Sequence, residues 1–388
     1  MISLGIKQLL KKQLPTLKNK RLGLLCNQAS TDENFVHSRD LIRQVYPGQL
    51  TCLFSPQHGF LAEKQDNMIE SDHATDQQAD VPVFSLYGDT RRPTPEMFDL
   101  IDVLIIDLVD VGTRVYTFMS TMAFCLEEAG RSGKRVLICD RPNPIGGDAI
   151  EGNVLRESCF SFVGLYPIPM RHAMTLGELA LFMNDRIATP ADLEIQPMKR
   201  WRRDMFFDDT GLPWVYPSPN MPTLQSALVY PGQVVWEGTN ISEGRGTAMP
   251  FELCGAPFVD CGKVLQKLES VPLPGCILRP VGFEPTSNKW RENVCKGFHI
   301  HITDQKKFLP YRTSLALLQA IALLYPDDFQ LKQPPYEYEY YRCPLDLIIG
   351  DEHIRKALLS GVHLLELEDS WQNDLELFCE TRKKYLLY

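Results

Sequence analysis

The sequence predicts an α/β protein in which a Rossmann-like domain with a mostly parallel sheet precedes a smaller α+β domain. Apolar runs of strand length recur through the first half of the chain with helical patterns between them, and the pattern changes beyond a proline-rich segment at residues 216–251. The length of 388 residues also exceeds what one hydrophobic core usually serves. We therefore expect residues 1–228 to form the first domain and residues 229–388 the second.

The predicted strands of the first domain are nearly continuous apolar runs, at residues 22–26, 50–54, 81–86, 103–108 and 136–139. Such runs are typical of a parallel sheet covered on both faces, because alternation is needed only when one face is wet. Residues 121–129 predict a helix between two of these strands, with Gly130 as its stop signal. This order of elements favours a doubly wound sheet.

The chain beyond the proline-rich segment predicts a different architecture. Residues 297–303 alternate as a half-buried strand, residues 309–324 form an apolar helical pattern, and residues 346–388 predict helices with a break at Ser360 and Gly361. No internal repeat or flexible linker separates the two halves. We expect tightly packed domains, with segment 216–251 in the wall of the cleft between them.

Polar residues follow four of the predicted strands, at the edge where ligands of such sheets bind. They are Asn27 and Gln28 after the first strand, Gln57 and His58 after the second, Asp107, Asp110 and Arg114 after the fourth, and Arg141 and Asn143 after the fifth. For any single loop, turn formation remains the alternative explanation. Four such loops at one edge favour a polar binding site.

Segment 216–251 adds carboxylates, amides and a guanidinium group to that edge: Asn220, Glu237, Asn240, Glu243 and Arg245. Ordering irregular backbone costs about 1–2 kcal/mol of conformational free energy per residue, and a functional pocket would explain why this segment is ordered despite that cost. With Tyr116, this mixture suits hydroxyl-rich, amide-bearing and anionic ligands. For Glu237 and Glu243 the alternative is that both are ordinary charged residues in exposed turns. Trp214 and Trp236 could supply a flat apolar surface for a sugar ring, and the alternative is that they are buried in the core.

Composition and motifs argue against several other classes of protein. A formal charge of −9 argues against binding to nucleic acid, and no apolar run approaches the length of a membrane span. Without an N-terminal secretory pattern we expect a soluble cytoplasmic protein, with an exported form still open. The eleven scattered cysteines predict core residues in a reducing compartment. No GxGxxG, GxxxxGK[ST], GxSxG or HExxH motif occurs, so we expect no cofactor and no metal, and carboxylate chemistry remains.

Long and specific motifs run through the chain, among them LLCNQAS, LFSPQHGF, DVLIIDLVDVGTRVYTFMSTM, DRPNPIGG, GLPWVYPSPNMPT and ALVYPGQVVWEGTNISEGRGTAMPF. From about Leu22 to the closing YLLY, these motifs resemble the exo-β-N-acetylmuramidase (NamZ) family, also known as DUF1343. The resemblance implies a Rossmann-like N-terminal domain, a smaller C-terminal domain and a cleft between them. It also implies release of terminal N-acetylmuramic acid from peptidoglycan fragments during cell-wall turnover.

One position departs from the family pattern. The motif after the second strand usually reads PEHG, with its glutamate as the favoured catalytic residue, and Gln57 stands in that place here. An amide neither donates a proton as a general acid nor acts as a carboxylate nucleophile. Three interpretations remain open: Glu237 or Glu243 acts as the acid while Gln57 orients the substrate, Glu63 takes the role, or the chain binds muropeptides without cleaving them.

The predicted site joins these residues to the resemblance. The catalytic candidates are Gln57, Glu237, Glu243 and Asp110, and the candidates for substrate binding are Asn27, His58, Glu63, Asp107, Arg114, Tyr116, Arg141, Asn143, Asn220, Asn240 and Arg245. An arginine would bind the lactyl carboxylate of muramic acid, and amide side chains would pair with its acetamido group. The expected partner is a saccharide or muropeptide that contains N-acetylmuramic acid. A nucleotide-dependent Rossmann enzyme is a further hypothesis by fold analogy alone, and the sequence does not distinguish retention from inversion or determine the oligomeric state.

Overall fold

The computed structural model describes residues 1–12, 14–66 and 68–388. Its strands are β1 (Leu22–Leu25), β2 (Leu50–Ser55), β3 (Ala74–Asp76), β4 (Val81–Ser85), β5 (Val103–Ile106), β6 (Arg135–Cys139), β7 (Glu151–Val154), β8 (Pro169–Arg171), β9 (Asp192–Gln196), β10 (Leu253–Ala256), β11 (Cys276–Phe283) and β12 (Cys295–Ile302). Its α-helices are α1 (Gly5–Lys12), α2 (Ser38–Val45), α3 (Pro95–Phe98), α4 (Phe118–Ser132), α5 (Leu176–Asn184), α6 (Leu224–Gln233), α7 (Cys261–Leu268), α8 (Pro310–Leu324), α9 (Pro344–Ile349), α10 (Glu352–Leu359), α11 (Leu364–Ser370) and α12 (Gln372–Arg382).

The largest sheet in the described part of the chain has seven strands in the order β3-β4-β2-β1-β5-β6-β9. Neighbours pair in parallel except the edge strand β3, which runs antiparallel to β4. Every residue of β1 and β5 is buried, as their continuous apolar sequences predict. The predicted fold class is confirmed, and the sheet gains two strands, β3 and β9, that the sequence did not reveal.

Alternate side chains of the strands enter two separate cores. Leu104 and Ile106 of β5 belong to the core that includes the buried face of α4. Val103 and Ile105 belong to the core that contains residues of α1 and α2. Helices therefore cover both faces of the sheet, and the loops at the strand ends are the part of this domain left open to a ligand.

The end of α4 differs from the prediction. The helix passes Gly130 and stops at Ser132, with Gly133 in the left-handed conformation at φ 64°. Gly130 instead allows a close approach, because an added Cβ would lie 1.8 Å from the carbonyl oxygen of Thr189. The glycine that ends the helix is the one whose backbone needs a positive φ.

The C-terminal half contains a smaller antiparallel sheet with the order β10-β12-β11, flanked by helices. The predicted strand and helix correspond to β12 and α8, and the break at Ser360 and Gly361 separates α10 from α11. Helix α6 runs through residue 228, so the boundary between residues 1–228 and 229–388 stays a prediction. None of the helices in the described ranges has both the length and the apolar character needed to cross a membrane.

Candidate active site

A polar pocket lies beyond the ends of β2 and β5, where residues of the N-terminal half meet the C-terminal half. It is lined by Gln57, His58, Val115, Tyr116, Thr117, Val163, Ser218, Asn220, Met221, Tyr230, Glu237, Arg245, Phe251, Tyr336 and Glu337. Its free volume is about 30 Å³, whereas a single water needs about 10–15 Å³ on a comparable measure. A sugar ring therefore enters only if the walls move apart.

The loop after β2 positions Gln57 and His58. His58 and Gly59 both have positive φ, 77° and 85°, and turn the chain sharply back. The Nδ1 atom of His58 lies 2.7 Å from the carbonyl oxygen of Lys64, which closes the loop on itself. Burial lowers the pKa of His58 to about 4, so its ring is neutral near neutral pH and serves as a hydrogen-bonding group.

Side-chain amides attach the proline-rich segment to the strand ends. Asn27 after β1 donates to the carbonyl oxygen of Pro217 at 2.7 Å, and Asn220 donates to that of Gln65 at 2.8 Å. Helix α6 then begins at the N-cap Thr223 and leads into the short 3-10 turn Val234–Gly238, which carries Glu237. The predicted wall of the cleft is therefore held by contacts on both sides of the pocket.

Glu237 belongs to a buried network of two acidic and two basic side chains. Its Oε1 lies 2.7 Å from Nη2 of Arg245, and its Oε2 accepts a hydrogen bond from the hydroxyl of Tyr336 at 2.7 Å. Arg245 also pairs with Glu243 at 3.2 Å, and Glu243 pairs with Lys289 at 2.8 Å. Burial opposes ionisation of Glu237, but the Arg245 charge and these hydrogen bonds outweigh it and lower its pKa. Glu237 is therefore held as a carboxylate.

Glu337 is a second buried carboxyl group in the pocket, in a different environment. Tyr87 donates its hydroxyl to Oε2 at 2.6 Å, and Nε2 of Gln57 donates to Oε1 at 3.1 Å. Thr117 donates to Oε1 of Gln57 at 2.5 Å, which turns the amide nitrogen of Gln57 towards Glu337. Burial, with a smaller contribution from the Glu237 charge, raises the pKa of Glu337 to about 7. Near neutral pH a large fraction of Glu337 therefore keeps its proton.

Six residues of the sequence-predicted site line this pocket, namely Gln57, His58, Tyr116, Asn220, Glu237 and Arg245. Glu243 lies behind them and supports Arg245. Trp236 is fully buried, which agrees with the core alternative for this side chain. Within the described residues no cluster of three or more His, Cys, Asp or Glu side chains has the geometry of a metal site.

Other predicted site residues do not line the pocket. Asp107 binds Arg141 bidentately, at 2.5 and 2.8 Å, and this ion pair joins the segments that follow β5 and β6. Asp110 accepts from the backbone of Gly112 at 2.7 Å and lies 3.6 Å from His172. Both oxygens of Asp107 are therefore paired within the protein, whereas Oδ1 of Asp110 and Nε2 of His172 are buried without a hydrogen-bond partner in the described part of the chain.

The remaining predicted residues hold loops together. Asn143 donates to the carbonyl oxygen of Met174 at 3.0 Å, and Asn240 donates to that of Asp328 at 2.8 Å. Glu63 is exposed and accepts from the backbone of Leu61 at 3.1 Å. These contacts satisfy the side chains locally, and the structure gives no support to a role for them in substrate binding.

Arg114 joins the two halves of the molecule from within the core. It is fully buried and donates to the carbonyl oxygens of Asn153, Ile168, Ile348 and Ile349 at 2.8–3.2 Å. Two of these carbonyls belong to the C-terminal end of α9, where a positive charge is favourable. Burial lowers the pKa of Arg114 to about 10, which still leaves it charged. Its role is therefore structural.

We expect Arg114→Met to lower the free energy of unfolding by about 2–4 kcal/mol, because four buried carbonyl oxygens lose their donor while a buried charge is relieved. Urea denaturation measures the change. Arg131→Met is the control, since the Arg131 side chain is 61% exposed and its loss should cost less than about 0.5 kcal/mol. Equal stability of the two variants would contradict the structural role of Arg114.

Sequence reasoning missed several residues that line the pocket, chiefly Thr117, Tyr336 and Glu337, and it also missed Tyr87, whose hydroxyl contacts Gln57 from outside the lining. Glu337 lies 280 positions from Gln57 along the chain, although their side chains are in contact. The only signal was the alternation of acidic and aromatic residues in PPYEYEYY at 334–341. Its position after two prolines resembles an ordinary exposed loop, which is why it attracted no prediction.

Two family models divide the chain between them. The N-terminal model of the exo-β-N-acetylmuramidase NamZ matches residues 22–225, and the C-terminal model matches residues 228–388. The chain belongs to the NamZ family. In this NamZ family member the pocket is built from both matched regions, since Gln57 and Tyr116 come from the first and Glu237 and Glu337 from the second.

Individual relatives of this NamZ family member extend along its whole length. The chain is 43% identical over 387 residues to the peptidoglycan β-N-acetylmuramidase NamZ of Bacillus subtilis strain 168, with 100% of this chain and 91% of the relative covered. A crystal structure of a DUF1343 family protein from Bacteroides fragilis matches with a TM-score of 0.90 at 34% identity. A second one from that organism matches with a TM-score of 0.79 at 28% identity. Both structural matches cover 100% of this chain and 99% of the other.

Proposed function

We propose that this protein is a glycoside hydrolase that releases terminal N-acetylmuramic acid from peptidoglycan fragments. The observation that carries the proposal is a pair of buried carboxyl groups in one pocket, Glu237 and Glu337, whose pKa values move in opposite directions. Environments that separate two carboxyl groups in this way divide the acid and carboxylate roles of a glycosidase. Membership of the NamZ family supports the substrate class.

In this proposal Glu337 is the general acid. It keeps its proton near neutral pH and donates it to the glycosidic oxygen as the bond to the leaving sugar breaks. A water molecule bonds to the anomeric carbon and gives up a proton to a carboxylate, which completes the hydrolysis. Gln57 is the positioning residue for Glu337, because its amide nitrogen is directed at Oε1 of the carboxyl group. An amide suffices for that task, so Gln57 does not prevent catalysis.

Glu237 supplies the ionised carboxylate of the pair. Arg245 and Tyr336 hold it in one orientation, and its negative charge stabilises the positive charge that develops on the anomeric carbon. Because Glu237 is held deprotonated, it is the less suitable of the two groups for donating a proton. Arg245, Asn220 and Ser218 offer donors for the carboxylate, acetamido and hydroxyl groups of the sugar, and Phe251 offers an apolar face.

Hydrolysis of an aryl β-N-acetylmuraminide by the purified protein tests the proposal. We expect release of the aryl group and of free N-acetylmuramic acid, and we expect Glu237→Gln to abolish most of it. The substitution of Gln57 for the family glutamate favours one other candidate, a muropeptide-binding protein without turnover. Measurable binding of the substrate without any release by the wild-type protein would favour that alternative and reject the hydrolase.

The pH dependence of kcat/KM should be bell-shaped. Glu337 must be protonated, so the rate is expected to fall as the pH rises through about 7, the pKa of its carboxyl group. Glu237 must be ionised, and its lowered pKa places the acidic limb below the range of an ordinary glutamate. Initial rates between about pH 4 and about pH 9 measure the alkaline limb, and the acidic limb should lie at or below the lower end of this range. A rate that still rises above pH 8 would exclude Glu337 as the acid.

A further inference from the structure

An open groove lies next to the pocket and shares Glu337 with it. Its free volume is about 390 Å³, compared with about 30 Å³ for the pocket, so it has the size of a ligand site without any movement of the protein. The groove is lined by the arginines Arg91, Arg92 and Arg342, by the aromatic residues Phe124, Phe162 and Tyr338, and by Asp89, Thr90, Ser161, Glu337 and Glu339. The proposed reaction assigns no role to this groove.

The aromatic side chains that line the groove contact the tyrosine that hydrogen-bonds to the proposed general acid. Tyr87, which donates to Glu337, contacts Tyr338 and Phe162 with ring centroids 5.6 and 5.9 Å apart. Phe162 in turn stacks on Phe124 at 6.1 Å. A saccharide bound along these side chains therefore has one end at the carboxyl group that donates the proton.

The arginines of the groove differ in their partners. Arg92 pairs with Glu127, and Arg342 pairs with Glu339. Arg91 lies 3.9 Å over the ring of Tyr338 and forms no ion pair with any described carboxylate, Asp89 included. A half-buried guanidinium group that is held in place by stacking and lacks an anion is suited to bind a carboxylate of a ligand.

We infer that the groove binds the part of the saccharide on the leaving side of the cleaved bond, with Arg91 as the ligand of an acidic sugar in that part. A general acid acts at the oxygen between the sugar that is released and the rest of the chain, and Glu337 lies at the border of the pocket and the groove. Peptidoglycan alternates neutral and acidic amino sugars, so a leaving part of two or more residues contains a lactyl carboxylate. Because the proposed reaction defines this occupant, the inference rests on the proposed function.

Two substrates that differ only on the leaving side test the inference. In the disaccharide N-acetylmuramic acid–N-acetylglucosamine the leaving sugar is neutral, and in the corresponding tetrasaccharide the leaving part contains an acidic sugar. We expect Arg91→Gln to lower kcat/KM about tenfold or more on the tetrasaccharide, mainly through KM, and to leave the disaccharide within about twofold. Arg91→Lys should recover part of the loss, and Arg202→Gln, at an exposed arginine outside the groove, is the control.

Equal losses on both substrates, or no loss on either, would overturn the role of Arg91. If the wild-type protein cleaves neither substrate, the proposed function fails. Calorimetric titration with the tetrasaccharide then still tests whether the groove and Arg91 bind the saccharide. Weaker binding by Arg91→Gln than by Arg202→Gln would then support the site. Unchanged binding would reject it.

Discussion

Replacing Glu337 by glutamine is expected to lower kcat by about 10²–10⁴-fold, the usual contribution of a general acid. The variant keeps the size of the side chain and retains oxygen and nitrogen atoms near Tyr87 and Gln57, but it has no proton that it can transfer. The loss should be smaller for a substrate with an acidic phenol as its leaving group, since such a group departs without protonation. Kinetics on a nitrophenyl glycoside and on the disaccharide measure this difference.

The matched control for this variant is Glu284→Gln, at an exposed glutamate of the C-terminal half. It makes the same change of side chain at the surface and should leave both rates unchanged. Circular dichroism and thermal unfolding of Glu337→Gln establish that the variant is folded. A folded Glu337→Gln protein with nearly wild-type kcat on the disaccharide would exclude Glu337 as the acid and return attention to the other carboxylates.

Placing at position 57 the glutamate that the motif resemblance implies, Gln57→Glu, is expected to raise kcat/KM by about tenfold or more above pH 7. The new carboxyl group would occupy the place of an amide that lies 3.1 Å from Glu337, and two carboxyl groups at that distance share a proton. The alkaline limb of the pH profile should therefore move upwards, because the pair keeps its proton to a higher pH. Thr117 can still donate to the new side chain, so the geometry of the loop is preserved.

Gln330→Glu is the control for the added charge, because Gln330 is exposed and is not among the residues that line the pocket. It should alter neither the rate nor the pH profile. An unchanged alkaline limb in Gln57→Glu would mean that residue 57 does not interact with the ionisation of Glu337. A loss of activity would mean that the amide itself is required, and that this NamZ family member has adapted its site to Gln57.

The pocket illustrates which site residues a sequence reveals. Gln57, His58 and Tyr116 were predicted because they follow strands that their continuous apolar sequences make recognisable. Arg114 was predicted for the same reason, yet its guanidinium group faces four backbone carbonyls. Residue type and position along a strand do not tell whether the partner of a polar group is a ligand or the protein, since both satisfy the same hydrogen-bonding needs.

The sequence by itself determined the family, the doubly wound sheet and the edge of that sheet at which polar loops collect. These features depend on local patterns, because a strand buried on both faces must be apolar along its length and a helix between strands must end at a turn. Only the tertiary structure decided that Glu337 joins Gln57 and Glu237 in one pocket. Its contacts and its raised pKa come from burial and from residues hundreds of positions away, and no pattern along the chain records them.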